Sequence, residues 1–146
     1  MPIANHQQQV ADASAVFIIL GDLEANKMLE VVYRPLIDAG LMPVPTYEAI
    51  INDVNQVYER PQAKIRDDAL INASLFAMQL MLAAKAKGYD TGPMGGFQPD
   101  QLKDFLRIPD RFVPVMLVTA GIERRPAYAT NRLPLNEIVM YEPFKE

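Results

Sequence analysis

The stretch Thr91-Gly92-Pro93-Met94-Gly95-Gly96-Phe97 concentrates three of the seven glycines of the chain in one segment between two predicted helices. Glycine lacks the Cβ atom that keeps a flat ligand away from the backbone, and adjacent glycines can reach positive φ and direct N–H groups outward. The segment therefore predicts one of two structures. Either it is the surface on which a flat redox cofactor ring packs, or it is a connection whose glycines serve only tight turns.

The composition limits the chemistry that the chain can perform with its own side chains. Its 146 residues contain no Cys and one His, which excludes disulfides and thiolate metal sites and argues against a His-based catalytic triad. We therefore predict no catalytic side chain and no metal site. The chemistry is expected to come from a bound cofactor.

Charge and hydropathy predict a single globular domain. Half of the residues are apolar, the net charge is −4, and the Lys and Arg residues are scattered. Nucleic acid and membrane surfaces are therefore not expected partners. The longest uncharged run, residues 69–84, is shorter than the ~20 residues of a membrane span, and the first residues lack a secretion signal. We expect a cytoplasmic protein.

Hydrophobic patterning predicts helices that alternate with two strands. Residues 15–20 suit a strand buried on both faces, and residues 112–121 form the second strand. Residues 124–146 contain three prolines and predict an extended arm, with a candidate strand at 137–141. Four helices are predicted. The first runs from residue 23 to before Gly40 and has Asp22 as its N-cap, and the second covers residues 46–58 and has Thr46 as its N-cap. The third covers residues 62–87, and the fourth begins at Gln98.

The helix predicted over residues 62–87 is apolar nearly all round in its middle. A surface helix needs only one apolar stripe, so its own domain and a second subunit are expected to enclose this one. Asp67 and Asp68 are predicted in its first turn, where carboxylates favour the helix dipole and need no catalytic role. Oligomerisation is therefore an open alternative.

In this order the segments of the chain resemble the nitroreductase-like flavoproteins. The resemblance implies an α+β fold with a central, mostly antiparallel sheet flanked by helices. It also implies a homodimer that binds FMN and uses NADH or NADPH to reduce nitroaromatics, quinones or related acceptors. The resemblance rests on the order of several segments. The first is the polar, Gln-rich N-terminal stretch before residue 11, which we call the leader and which continues into residues 11–16. The others are the helix with Asn72-Ala73-Ser74, the segment Gly88-Tyr89-Asp90, the segment Pro93 to Phe97, the strand that ends at Gly121, and the segment Asn131-Arg132-Leu133-Pro134-Leu135.

The resemblance implies roles for individual residues. The 93–96 backbone would lie against the flavin ring, with the Gly95 N–H directed at N5, the atom that takes and gives hydride. Arg132 would bind the FMN phosphate, and His6 and Gln9 would meet the pyrimidine edge of the ring. The residues implied in FMN binding are His6, Gln9, Pro93, Met94, Gly95, Gly96 and Arg132.

The chain departs from the family pattern in two places. Thr130 stands where some members carry a second basic residue. Members also typically begin with some tens of residues that include an Arg-rich phosphate-binding motif, so residues 1–146 are expected to form a single, N-terminally truncated domain. The alternative is a non-enzymatic ligand-binding or interaction protein that kept the scaffold and lost tight FMN binding.

Overall fold

The computed structural model of the chain describes residues 2–141, which form three strands, six α-helices and two short 3-10 turns. The 3-10 turns are Pro2–Ala4 and Ala25–Met28. The remaining elements are α1 (Gln8–Asp12), β1 (Ala15–Asp22), α2 (Leu29–Asp38), α3 (Val44–Tyr58), α4 (Gln62–Ala86), β2 (Asp90–Met94), α5 (Pro99–Leu106), β3 (Phe112–Gly121) and α6 (Leu135–Ile138).

The three strands form one antiparallel sheet with β3 in the centre, in the order β1-β3-β2. β3 has the predicted bounds, and β1 continues two residues beyond the predicted strand. The register places Thr119 opposite Val16 on one side and Gly92 on the other. It shifts between Ile19 and Leu20, where Leu20 lies opposite Pro114. A proline near the start of the strand is thus accommodated at an irregularity of the ladder.

The first half of the glycine segment is a strand, which the sequence did not predict. Residues 90–94 pair with residues 117–121 of β3, so only Gly95 and the residues after it form a loop. Glycine and proline have low strand propensity, and pairing with the apolar β3 overrides that local preference.

The sheet has a hydrophobic core on each face. One core lies between the sheet, the leader and α5, and the other lies between the sheet and α4. β1 alternates between exposed and more buried residues, and Phe17 is 42% exposed. The prediction of a strand buried on both faces is therefore wrong for β1. The first core contains Ala4, Met94, Phe97, Leu102 and Leu117, and the second contains Ile19, Ala73, Ala77 and Val118.

Helix α4 packs on the sheet through a narrow stripe of mostly small side chains. Ile65, Ala69, Ala73 and Ala77 recur every four residues, so they share one side of the helix, and all four are buried. Gly21 of β1 makes room for this approach, because a Cβ there would come within 3.0 Å of the Ala69 carbonyl oxygen. Small residues on both partners thus set the distance between α4 and the sheet.

The rest of α4 is largely exposed, so the domain itself covers only one side of the helix that was predicted to be enclosed by the domain and a second subunit. By length and composition α4 could cross a membrane, but it contacts all three strands, as the core helix of a folded domain does. We call the exposed apolar set the outer face of α4. Its members are Ile71, Leu75, Phe76, Met78 and Leu82, each more than half exposed.

The start of α4 differs from the prediction, whereas its end agrees with it. The helix begins at Gln62, so Asp67 and Asp68 lie beyond its first turn, which holds no acidic residue. Asp68 instead pairs with Arg60. The predicted glycine cap is present, since Gly88 follows the helix with φ +84°.

Helices α2 and α3 form a pair whose residues are all partly or fully exposed. Asp22 ends β1, and the 3-10 turn separates it from α2, so it does not cap the long helix that was predicted. Pro35 lies inside α2 without ending it. Thr46 lies inside α3, which begins two residues earlier after Pro43.

The arm is exposed at every described residue from Glu123 to Tyr141. Residues 122–134 form no helix or strand, and the candidate strand at 137–141 is wrong. Its first residues belong to the one-turn helix α6 instead. Large apolar side chains of the arm therefore lie in solvent in the single chain, among them Tyr128 at 91% and Tyr141 at 93% exposed. The remainder of the predicted arm, 142–146, lies outside the described residues.

Candidate functional site

The end of β2 and the loop that follows form an exposed strip of backbone. Pro93, Gly95 and Gly96 are exposed, whereas the side chain of Met94 points into the core and anchors the strip from below. A Cβ atom at Gly95 would have no other heavy atom within 4 Å. The space above Gly95 is therefore open, and the fold itself does not require a glycine there.

The other glycines of the segment serve different purposes. A Cβ at Gly92 would overlap Nε2 of Gln9, so this glycine makes room for a side chain of the leader. Among the described glycines, positive φ occurs at Gly40 and Gly88. The expectation that adjacent glycines of the segment use positive φ is therefore wrong, and within the fold only Gly92 of the segment is needed for space.

Amide side chains fasten the leader to the glycine loop. Gln7 Nε2 donates to the Gly96 carbonyl oxygen over 2.6 Å, and Gln98 Nε2 donates to Asn5 Oδ1 over 2.9 Å. His6 lies between these two contacts, is exposed, and follows Asn5 in a turn where φ is +50° and then +56°. Two successive left-handed residues other than glycine are costly, so the amide contacts must hold this turn in place.

Gln9 is the predicted site residue with the best-defined partners. Its Nε2 donates to Thr119 Oγ1 over 2.7 Å, and Thr119 Oγ1 is 3.2 Å from the Gly92 carbonyl oxygen. Thr119 is 3% exposed and is the buried polar residue of the described chain. The structure thus brings Gln9 to the glycine strand, and it adds Thr119, which the sequence analysis did not select.

Arg132 lies away from this cluster. It is exposed in the arm, and its Nη1 donates locally to Thr130 Oγ1 over 2.7 Å and to the Asn131 carbonyl oxygen over 3.1 Å. The structure therefore does not bring Arg132 to the glycine loop within one chain. Its guanidinium lies on a segment whose position is set by few contacts of its own.

Asp90 holds three elements together at the start of β2. Its Oδ1 accepts from Lys85 Nζ at the end of α4 over 2.7 Å, and its Oδ2 accepts from the Glu123 N–H at the start of the arm over 3.0 Å. The hydrogen bond from Lys85, followed by that from Glu123, lowers the pKa of the Asp90 carboxyl from its ordinary value. The carboxylate is the form that makes these contacts.

An open groove of about 880 Å³ lies beside Thr119, between α1, the start of β2, the end of β3 and the beginning of the arm. Asp12 and Asp90 contribute negative charge to its lining, and Arg124 and Arg125 contribute positive charge. The groove places both arginines on the same side of the molecule as Gln9.

Residues 2–122 match the family model described as the nitroreductase family. The chain belongs to the nitroreductase family. The family consists of oxidoreductases, and the match includes the leader, all three strands and the glycine segment. It ends before the arm, so Arg132 lies outside it.

Individual relatives agree with this family membership. This nitroreductase-family chain is 45% identical over 138 residues to the predicted NAD(P)H nitroreductase YodC of Bacillus subtilis, covering 94% of the chain and 68% of YodC. It is 40% identical over 141 residues to the predicted NAD(P)H nitroreductase MhqN of the same organism, again covering 94% and 68%. The chain thus spans about two thirds of the length of both relatives.

A solved structure confirms the predicted fold. The crystal structure of a predicted nitroreductase from Exiguobacterium sibiricum in complex with FMN matches with a TM-score of 0.89 at 38% identity. The match covers 97% of this chain and 69% of that protein. The α+β nitroreductase-like fold and its antiparallel sheet are therefore as the resemblance implied.

Proposed function

We propose that this chain is an FMN-dependent NAD(P)H oxidoreductase of the nitroreductase type, with the strip Pro93–Gly96 as the flavin platform. The observation that carries the proposal is the open space above Gly95, which a Cβ would enter and which no residue of the described chain fills. The relatives support the cofactors, since two are named for NAD(P)H and one structure contains FMN.

The platform residues would act through their backbone. Pro93 and Gly96 present an exposed edge, and Gly95 allows a flat ring to approach its N–H group without a Cβ in the way. The Gly95 N–H would then face N5 of the flavin, and the buried Met94 would keep the strip rigid. When bound, FMN supplies the redox chemistry by accepting hydride from NAD(P)H and delivering it to an acceptor. The chain supplies binding and orientation, and no side chain need act as acid or base.

The remaining predicted ligands would complete the site from two sides. Gln9 and His6 belong to the leader, which lies along the glycine strand and loop, so they are placed to meet the pyrimidine edge of the ring. Arg132 would bind the phosphate once the arm is held in place, since guanidinium groups form bidentate hydrogen bonds with phosphate.

We further propose that two copies of the chain form a homodimer through the outer face of α4 and the arm. The outer face exposes five large apolar side chains on one helix, and the arm exposes apolar side chains along its whole length. Exposed apolar surface of this extent is typical of an interface. A second copy would cover both features and would also fix the position of Arg132.

The reaction that fits this site is a two-step, ping-pong transfer in which NAD(P)H and the acceptor use the same exposed face in turn. Nitroaromatics, quinones and related small molecules are the proposed acceptors. We place the single domain in the cytoplasm, where NAD(P)H is available.

FMN titration of the purified dimer, followed by flavin fluorescence, tests the function. Quenching that saturates, together with NADH- or NADPH-dependent reduction of a quinone or nitroaromatic, is the expected result. A folded protein that leaves FMN fluorescence unchanged up to millimolar concentration would contradict the proposal and favour a non-enzymatic ligand-binding protein.

A further inference from the structure

The outer face of α4 contains a regular pattern of apolar residues. Ile71, Leu75, Met78 and Leu82 follow one another at alternating intervals of four and three residues, and each is more than half exposed. With about 3.6 residues per turn, the four side chains form one narrow stripe on the side of α4 opposite the buried stripe that faces the sheet. We call this exposed stripe the seam. Its spacing is typical of a helix that packs lengthwise against a second helix.

Charged residues continue the same spacing at the two ends of the seam. Asp68 lies three residues before its first member, and Lys85 lies three residues after its last. Both side chains are accessible, with relative exposures of 46% and 75%. Asp68 contacts Arg60 through Oδ2, and Lys85 uses one of its three ammonium donors on Asp90, so each can form a further hydrogen bond. The seam therefore begins with negative charge and ends with positive charge.

We propose that the seams of two copies of the chain pack antiparallel. In this arrangement Ile71 lies opposite Leu82 of the second copy, and Leu75 lies opposite Met78 of the second copy. The proposal rests on the homodimer proposed above and specifies how its two copies are arranged. The alternating spacing reads the same in both directions, so the seam is complementary to itself, as a two-fold interface requires.

The charges favour the antiparallel arrangement over the parallel one. In the proposed register each step forward along one helix is a step back along the other, so Asp68 lies opposite Lys85 of the second copy. A parallel arrangement would instead set Asp68 against Asp68 and Lys85 against Lys85. Like charges that face each other disfavour a pairing, and opposite charges help to fix its register.

A cavity of about 240 Å³ beside the seam provides space for one of the opposed side chains. It lies between the end of α3 and the beginning of α4, and Asp68, Ile71 and Asn72 contribute to its lining. Residues three and four positions apart on one helix form the hole that receives a side chain of a packed helix. Leu82 of the second copy lies at this hole, because it is opposite Ile71. The two-fold symmetry repeats the contact, so each dimer contains it twice.

Cysteine cross-linking tests the register, because the wild-type chain contains no Cys. Asp68→Cys and Lys85→Cys are prepared separately, and also as mixed dimers by co-expression of two tagged forms. Mild oxidation should give a disulfide-linked dimer from the mixed pair and none from either variant alone. In the antiparallel register, like positions lie about 25 Å apart along the helix, too far for a disulfide. Asp104→Cys, exposed on α5, is mixed with Lys85→Cys as the matched control and should give no covalent dimer.

Truncation of Leu82 tests the cavity contact. Leu82 is 54% exposed in the single chain, so Leu82→Ala should keep the circular dichroism spectrum of the wild type. We expect it to weaken dimerisation by about 100-fold in sedimentation equilibrium, since each dimer loses two buried side chains. Leu106→Ala, on α5 and 42% exposed, is the matched control and should stay within about twofold of the wild type.

The outcomes separate this proposal from those on which it rests. A wild-type dimer that gives no mixed covalent dimer, or that gives covalent dimers from Asp68→Cys or Lys85→Cys alone, would overturn the register and leave the homodimer in place. Unchanged dimerisation of Leu82→Ala would likewise overturn it. A wild-type chain that is monomeric at every concentration would overturn the homodimer and the register together. Absence of FMN binding by a dimer with the expected cross-link would overturn the proposed cofactor and uphold the register.

Discussion

Arg111 Nε donates a hydrogen bond to Asp22 Oδ1 over 3.0 Å, and Arg111 Nη2 contacts Asp22 Oδ2, so the residue before β3 is tied to the last residue of β1. Asp22 Oδ1 also accepts the Glu24 N–H over 2.9 Å. Partial burial favours the neutral carboxyl, but the hydrogen bonds from Arg111 and Glu24 outweigh it and lower the pKa of Asp22.

This pair predicts a pH-dependent contribution to stability. Because the folded pKa of Asp22 lies below its ordinary value of 3.8, the stabilisation is complete above about pH 4 and is lost as pH falls through the folded pKa. Asp22→Asn should lower the free energy of unfolding by about 1 kcal/mol at pH 7. Urea unfolding at several pH values should show this difference shrinking below pH 4. A difference that stays constant to pH 2.5 would contradict the assignment.

The open space above Gly95 predicts that a side chain there changes cofactor binding without changing the stability of the fold. Gly95→Val should leave the melting temperature of the cofactor-free protein nearly unchanged, because a side chain there enters open space. The same variant should abolish FMN binding, and Gly95→Ala should weaken it less. The measurements are thermal unfolding by circular dichroism and flavin fluorescence titration. Undiminished FMN binding by Gly95→Val would show that the ring lies elsewhere.

The outer face of α4 predicts the effect of a charge at Met78, which is 52% exposed there. Met78→Lys should shift the protein towards monomer or aggregate in sedimentation velocity. Val31→Lys is the matched control, since Val31 is 65% exposed on α2, outside the proposed interface. Met81→Lys is less informative, because Met81 packs against the core beneath α4 and its loss would also destabilise the fold. A wild-type chain that remains monomeric at all concentrations would refute the interface.

The small number of basic donors for the FMN phosphate predicts that the chain alone binds FMN weakly. One arginine, Arg132, replaces the several basic donors expected in the family, and each lost charge-assisted hydrogen bond contributes about 1.5–3 kcal/mol. Losing two should weaken binding by roughly a hundredfold to ten-thousandfold. A fusion that adds an Arg-rich N-terminal segment of the kind that the resemblance implies should restore affinity and nitroreductase activity. Sub-micromolar FMN binding by the 146-residue chain without the fusion would show that these donors are dispensable.

The sequence predicted the parts of the fold that local patterns determine. β3 was predicted with its correct bounds because residues 112–121 form one continuous apolar run. β2 was missed because Thr91-Gly92-Pro93 has poor strand propensity, and only pairing with β3 makes it extended. The resemblance, in turn, is the basis for proposing the strip Pro93–Gly96 and Gln9 as site residues.

Thr119 could not be found in this way. Its contacts depend on the register that sets it opposite Gly92 and on a hydrogen bond with Gln9, 110 positions away in the chain. Neither the type of residue nor its neighbours in sequence indicates such a contact. Arg132 shows the opposite case, since the sequence selected it, but within one chain its guanidinium contacts only Thr130 and Asn131.

The turn at Asn5 and His6 has a consequence for how the site opens. Its two left-handed residues store conformational strain, and the leader that contains them is held by side-chain amides, by the buried Ala4 and by a backbone hydrogen bond from Gln98 to Ile3. The strain lowers the cost of local unfolding at this edge, and we expect the leader to exchange its backbone hydrogens before the central strand β3 does. One wall of the flavin pocket would then detach while the sheet remains intact, giving the ring a way in and out without global unfolding.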